Sequence, residues 1–231
     1  MSSNTLPELH PIPGLRLGTT CAGIKKPDHR DLVVMGLCEA SQVAAVFTRN
    51  AFCAAPVIVA REHWGKTAPR YLLINTGNAN AGTGEQGMKD ALACCDALAQ
   101  AAGCAREAVL PFSTGVIGEP LQVTAISDAV PAAFAALDDN GWADAAHGIL
   151  TTDTVPKAVS RQLEIDGHTI SITGITKGSG MIRPDMATML AYVATVFIFL
   201  LSPGPSHIFM LSTSLSHGFD RSLPVGSGDV T

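Results

Sequence analysis

The sequence predicts an α/β fold, a layered sandwich of mixed β-sheet and helices. Three features lead there. Short runs rich in Val, Ile, Leu and Phe recur through the first half, each bounded by turn residues. One long apolar stripe after position 87 steps by three and four residues, the period of an amphipathic helix. Many small Ala and Gly residues, with aromatics at only 5%, suit closely packed layers.

Taken in order, residues 1–13 are polar and proline-bearing and are expected to form a loose arm. Strands are expected at 14–19, 31–38, 43–47 and 56–60, punctuated by turns such as Lys26-Pro27-Asp28 and Arg49-Asn50. A short strand at 71–74 runs into a loop, 75–87, dense in Asn and Gly, which tolerate positive φ. That loop has neither the Gly-Lys-Ser/Thr ending nor the Gly-x-Gly-x-x-Gly spacing of a phosphate cradle. A structural turn and a site-lining role both stay open for it.

Met88, Ala91, Leu92, Cys95, Leu98, Ala99 and Ala102 mark a helix that ends near Gly103. Cys94 and Cys95 then point about 100° apart and are poorly placed to bond each other. A strand beginning at Val109 is expected to end at a Ser113-Thr114-Gly115 turn, with Pro120 where a helix would begin. Residues 121–137 read as a helix with a break or new start at Pro131, and 142–150 as a shorter one. A polar run, Thr151-Thr-Asp-Thr-Val-Pro-Lys157, precedes two strands, 158–165 and 169–175. These flank Asp166-Gly167, the strongest hairpin signal in the chain.

Composition excludes several functions. The 231 residues carry a net charge of −5 with no basic cluster, which argues against nucleic-acid binding. Charged residues make up 15%, low against a usual share of about 25%. The six cysteines form no Cys-x-x-Cys pair, no His-Glu-x-x-His helix is present, and no signal peptide is expected. Reduced, mostly buried thiols in the cytosol are the expectation, with no metal and no bound cofactor.

The stretch that carries chemistry is Gly174-Ile-Thr-Lys-Gly-Ser-Gly-Met-Ile-Arg-Pro-Asp-Met-Ala-Thr-Met-Leu190. The bland alternative is a strand–turn–strand with a solvated lysine. A threonine hydroxyl is a poor nucleophile until a base activates it, and an N-terminal threonine carries that base as its own α-amine. The reference pKa of an α-amine, about 8, leaves a useful fraction unprotonated near neutrality. Before cleavage the same nitrogen is an amide and cannot act as a base, so a cut between Ala187 and Thr188 would create the catalyst. Earlier in the chain, a glycine after Thr114 lets backbone N–H groups face a bound oxygen, as an oxyanion hole requires.

Lys177-Gly-Ser-Gly-Met-Ile, then Arg-Pro-Asp, then Met-Ala-Thr188-Met-Leu resembles the self-cleavage segment of the ornithine acetyltransferases, the glutamate N-acetyltransferases of arginine biosynthesis. Gly23-Ile-Lys-Lys-Pro27, Phe47-Thr-Arg-Asn50, Ala54-Ala-Pro-Val57, the 75–87 loop and Ser113-Thr-Gly115 fall in the same order and at similar spacing. The resemblance implies an N-terminal-threonine-nucleophile acetyltransferase, cut at Ala187–Thr188. Thr188 would take acetyl from N-acetylornithine and give it to glutamate, with acetyl-CoA a further donor in some members. It implies that Thr114 and Gly115 stabilise the oxyanion. Lys177 and Thr154, with Thr152 the neighbouring candidate, would bind substrate beside Thr188. It also implies a cytoplasmic protein whose α and β chains pair after the cut.

The resemblance covers about 14–194, and 14–195 is expected to be the α-chain domain with its cleavage segment. From 196 the chain, with its Phe-Ile-Phe-Leu-Leu-Ser-Pro-Gly-Pro run, resembles instead the first membrane helix of lysine/threonine amino-acid exporters. The fold is therefore expected to be truncated, with the β-chain largely missing from this sequence. The apolar stretch 189–201 is shorter than the roughly 18–20 residues of a span, so a buried strand is expected there, not a membrane helix. Two other classes of function remain as alternatives, a catalytically inactive fusion remnant and a tail-associated membrane protein.

Overall fold

A computed structural model describes residues 5–24, 27–48 and 50–178, together with the backbone of two strands at 197–201 and 209–215. Among these the chain runs β1 (Leu15–Thr20), β2 (Leu32–Leu37), β3 (Val43–Phe47), α1 (Ala55–Trp64), β4 (Tyr71–Asn78) and α2 (Gly84–Ala102). It continues as β5 (Val109–Val116), α3 (Val123–Ala135), α4 (Trp142–Gly148), β6 (Lys157–Ile165), β7 (His168–Thr176), β8 (Phe197–Leu201) and β9 (Phe209–Leu215). The fold is α/β with mixed sheets, as the sequence predicts.

One sheet has the order β1-β2-β4-β5, antiparallel except for the parallel pair β4–β5. The second has the order β3-β8-β9-β7-β6, with β3 and β8 parallel and the other pairs antiparallel. Strand β2 explains the layering. Val33, Met35 and Leu37 join one apolar cluster, while Leu32 and Val34 join another, because successive side chains leave opposite faces. The second cluster is closed by α2 and α3 through Leu98, Cys95, Ile126 and Val130. The first is closed by α4 (Trp142, Ala145, Ala146), by Ile175 of β7 and by partly buried residues of β3. A sheet covered on both faces needs continuous apolar strands, which is what Leu-Val-Val-Met and Leu-Leu-Ile supply. Each fully buried Leu or Ile there contributes about 1.5–3 kcal/mol.

Close approach sets one contact. A β-carbon on Gly18 would stand 2.1 Å from the Ala133 carbonyl oxygen, so α3 can ride directly over β1 only because position 18 is glycine. The β6–β7 hairpin turns as expected, with Asp166 and Gly167 both at positive φ (50° and 76°) and Ile165 paired to His168. Helix α2 ends at Gly103 in the left-handed conformation, also as expected.

Several expectations need correction. Residues 56–60 are not a strand but lie within α1. Pro56 sits in the first helical turn, where its missing N–H costs nothing, and the helix runs on through Arg61-Glu-His-Trp64 to pack against β5. β4 does not stop at Ile74 and β5 does not turn at Ser113. The two continue side by side to Asn78 and Val116. α3 begins at Val123, not at Pro120, and passes through Pro131 without a break. Residues 5–13 are not a loose arm: Ile12 is buried, and His10 is tied to Ser160 and Thr173 by hydrogen bonds of 3.0 and 2.8 Å. All six cysteines are free, but only Cys94 and Cys95 are buried. Cys21 and Cys38 are exposed and Cys53 and Cys104 half-buried, so "mostly buried" was too strong.

Residues after 196 supply β8 and β9, whose backbones stand between β3 and β7 in the second sheet. Among the described residues no helix is long and apolar enough to cross a membrane. No group of three or more His, Cys, Asp or Glu among them is placed to hold a metal ion.

Candidate active site

The parallel strands β4 and β5 leave the sheet together, Thr76 beside Thr114 and Gly77 beside Gly115, and the register slips at Gly77 and Asn78. Gly115 has φ +141°, a conformation that residues with a β-carbon rarely adopt. Backbone at this end of the sheet is therefore bare, and it forms one wall of a cavity of about 370 Å³. Thr76, Gly77, Thr114, Gly115 and Val116 line that wall, and His29 and Asp31 line it from the turn before β2. Leu150, Thr151 and Thr152 line it from the segment after α4.

Lys177 follows β7 directly and is buried, 2% exposed. Its ammonium donates to the Thr114 hydroxyl at 2.8 Å and to the Thr151 hydroxyl at 2.8 Å. Two residues singled out independently in the sequence, Lys177 and Thr114, thus meet across 63 positions. Burial pushes the lysine pKa down to about 8. The Asp153 carboxylate pulls it up against that, and the Lys157 charge adds to the lowering.

Asp153 holds the neighbouring backbone. Its Oδ1 accepts from Lys157 Nζ at 2.6 Å and from the Gly178 N–H at 2.6 Å. Burial works against its charge, but these two hydrogen bonds together with the Lys157 and Lys177 charges outweigh it and keep the carboxyl below its usual range. Its Oδ2 is buried with no hydrogen-bond partner among the described residues. Gly178, the last described residue before the segment at 179–196, is therefore pinned at the edge of the site.

The 75–87 stretch divides between the two roles left open for it. Its asparagines brace the chain: Asn75 Nδ2 donates to Asn78 O (2.9 Å), Asn78 Nδ2 to Pro120 O (3.0 Å) and Asn80 Nδ2 to Gly87 O (2.8 Å). Only Thr76 and Gly77 of this stretch reach the cavity wall. Asp31 is a latch as well as a lining residue. Its carboxylate accepts from the Ile24 N–H at 2.6 Å, and its carbonyl from the Thr76 N–H at 2.8 Å.

Thr114, Gly115 and Lys177 therefore come together. Thr154 is exposed and stands off the cavity, whereas Thr152 is on its lining. Ala187 and Thr188 lie outside the described residues. Asp31, Thr76, Thr151 and Asp153 went unremarked in the sequence. Thr151 and Asp153 belong to the same polar run as Thr152 and Thr154, and that run was the available signal.

The ArgJ family model matches residues 16–198. The arginine biosynthesis bifunctional protein ArgJ of Pseudomonas syringae pv. tomato is 60% identical over 190 residues, covering 82% of this chain and 47% of that protein. The protein of the same name from Methylococcus capsulatus is 56% identical over 187 residues, 81% of this chain and 46% of that one. The chain thus spans about half the length of the curated relatives it matches. Among solved structures, Bacillus halodurans ArgJ superposes with a TM-score of 0.65 at 32% identity, covering 76% of this chain and 92% of that chain. Mycobacterium tuberculosis ornithine acetyltransferase, solved in complex with ornithine, gives a TM-score of 0.66 at 30% identity, with 76% and 94% covered. The family match ends inside β8, so β9 lies wholly beyond it. With most of the chain matched in sequence and the same fold in solved members, the chain belongs to the ArgJ family.

Proposed function

We propose that this chain carries the acetyl-transfer machinery of arginine biosynthesis, with Thr188 as nucleophile after a cut at Ala187–Thr188. In the cut, the Thr188 hydroxyl adds to the Ala187 carbonyl and the acyl group moves from nitrogen to oxygen. Water then hydrolyses the resulting ester, leaving an Ala187 carboxylate and a free α-amine on Thr188. In transfer, that amine serves as the base. N-acetylornithine gives its acetyl group to the Thr188 oxygen and leaves as ornithine. Glutamate then takes the acetyl group on its amine and restores the hydroxyl. Acetyl-CoA is the alternative donor.

Each tetrahedral intermediate places negative charge on one oxygen. Thr114 and Gly115 are the proposed donors to it, and the buried Lys177 charge lies directly behind Thr114. Lys177, with Thr152 now better placed than Thr154, is proposed to face the substrate. The observation that carries this reading is the Lys177–Thr114 hydrogen bond in the wall of an open cavity. Coverage supports the cut. Solved chains almost fully matched by three quarters of this one are shorter than it, while the curated relatives are about twice the matched length. After such a cut, pairing of α and β chains would be expected.

The test is intact mass and N-acetylornithine:glutamate acetyl exchange on the purified chain. The expected result is a fragment beginning at Thr188, lost in Thr188→Ala and kept in Thr188→Ser, which retains the hydroxyl. A cut that persists in Thr188→Ala assigns it to another protease and removes the nucleophile role. A chain that cuts without exchanging acetyl keeps the processing half of the reading and loses the transfer half, which is the inactive-remnant alternative.

A further inference from the structure

We propose that the groove between α2 and α3 binds a free diamino acid of the lysine type. The groove is about 700 Å³ and shares no residue with the cavity at the ends of β4 and β5, so the proposal stands apart from the acyl-transfer reading. Asp90 faces it from α2 and is only 8% exposed. A carboxylate this buried needs hydrogen bonds or an opposite charge. Gln86, one turn earlier, donates its side-chain amide to Oδ1 at 2.7 Å, whereas Oδ2 has no hydrogen-bond partner among the described residues. Asp128 adds an exposed carboxylate from α3, and the lining holds no cationic side chain to balance the two.

Helix α3 opens on the same groove with no side-chain cap at Gln122 and no acidic residue in its first turn. The Val123 N–H turns back to the Leu121 carbonyl at 2.9 Å, and the Ile126 N–H reaches the Gln122 carbonyl at 3.1 Å. Between them the Thr124 and Ala125 N–H groups have no acceptor among the described residues, and both residues line the groove. Free N–H groups at the start of a helix attract an anionic oxygen. The groove therefore offers donors for one carboxylate beside acceptors for two cations. A diamino acid carries that set: an α-carboxylate, an α-ammonium and a side-chain ammonium. A plain amine would leave the helix N–H groups unmet, and a neutral amino acid would leave one aspartate unpaired. Leu121, 8% exposed, gives the intervening methylenes an apolar contact. The Asn78 amide donates to the Glu119 and Pro120 carbonyls at 3.2 and 3.0 Å, which fixes the segment leading into α3 and leaves the groove preformed.

The probe is L-lysine, titrated into the whole chain near pH 7 at constant ionic strength and followed through the backbone amide signals. Saturable shifts of the Thr124 and Ala125 amides are expected. Asp90→Asn should weaken binding about tenfold or more, the worth of a hydrogen bond between charged groups. Asp128→Asn should weaken it about threefold, since an exposed ion pair is worth less. Butylamine, which lacks the carboxylate, should bind at least tenfold more weakly than lysine. Thermal unfolding shows that each variant is folded, and the exposed Asp128→Asn carries the test alone where Asp90→Asn does not fold. Absent shifts at the two amides, or unchanged affinity in the folded aspartate variants, would overturn the site. Butylamine binding as tightly as lysine would remove the carboxylate contact and with it the diamino acid. Thr114→Ala should bind lysine as wild type does at these amides. A loss of binding there would assign the lysine to the β4–β5 cavity and overturn the groove, whereas lysine bound in the groove of a chain that neither cuts nor exchanges would keep the groove and sink the acyl-transfer reading.

Discussion

Gly115 lies against Gly77 so closely that a β-carbon on Gly115 would stand 2.2 Å from the Gly77 carbonyl carbon and 2.4 Å from its oxygen. Backbone cannot yield as a side-chain tip can, and φ at Gly115 is itself +141°. Gly115→Ala is therefore expected to destabilise the fold by about 1–3 kcal/mol from backbone strain, and further from the clash. Urea unfolding of the two proteins measures it. Equal midpoints would mean that the β4–β5 bulge is not held as described.

That pair also shows what the sequence could and could not reveal. Thr114-Gly115 was legible as an oxyanion motif, but it was read as a turn because Gly usually ends a strand. The neighbouring strand keeps it extended, pairing Asn75–Asn78 with Ser113–Val116, and no local signal reports a neighbour. The run Pro56-Val-Ile-Val-Ala60 was misread for a related reason. Five apolar residues do not separate a buried strand from a buried helix, and what decides is the edge of β5 that α1 covers. Lys177 was found because it sits in a recognisable segment. Thr151 escaped because its polar run alone does not show which of its residues meets a lysine 26 positions away.

The pH dependence of stability should carry the mark of Lys177. Its pKa is about 8 in the folded protein against an ordinary 10.5, chiefly from burial. Below pH 8 both states hold the proton and the folded one bears the cost of a buried charge. Between about 8 and 10.5 only the unfolded chain holds it, so this contribution to stability rises with pH, by up to about 3 kcal/mol. The groups that set it are Asp153 and Lys157, and His29 and Asp31 share the same cavity. Unfolding free energies at pH 7, 9 and 10.5 should show wild type gaining on Lys177→Met across that range. A constant difference would show that the lysine titrates normally.

Asp153 makes a prediction of the opposite sign. Its carboxyl is held below the usual range, so the stability it contributes is present above the unfolded pKa and lost as pH falls through the folded one. Asp153→Asn keeps the shape but removes the charge that holds Lys157 and supports Lys177. The variant should lack that acid-sensitive stability below about pH 4. It should also lower the Lys177 pKa further, because Asp153 is what raises it. Side-chain NMR of the lysine reads the second effect, and an unchanged or raised lysine pKa would break the link between the two residues.

The last prediction asks whether Thr114 and Lys177 act as one unit. Thr114→Ala removes a donor to the oxyanion and should slow acyl transfer about 10²–10³-fold. Lys177→Met leaves that hydroxyl in place but removes the ammonium that makes it an acceptor, so its proton is no longer directed into the cavity. If the lysine works through Thr114, most of its effect on kcat vanishes once Thr114 is gone, because the hydroxyl it aims no longer exists. The double variant should then be only slightly slower than Thr114→Ala alone, far from the product of the two losses. Lys177 also touches Thr151, so a residual loss should remain in the double variant and disappear when Thr151→Val is added. Strictly multiplicative effects on kcat would mean that the 2.8 Å contact between Lys177 and Thr114 has no part in the reaction, and that the lysine acts on the substrate by itself.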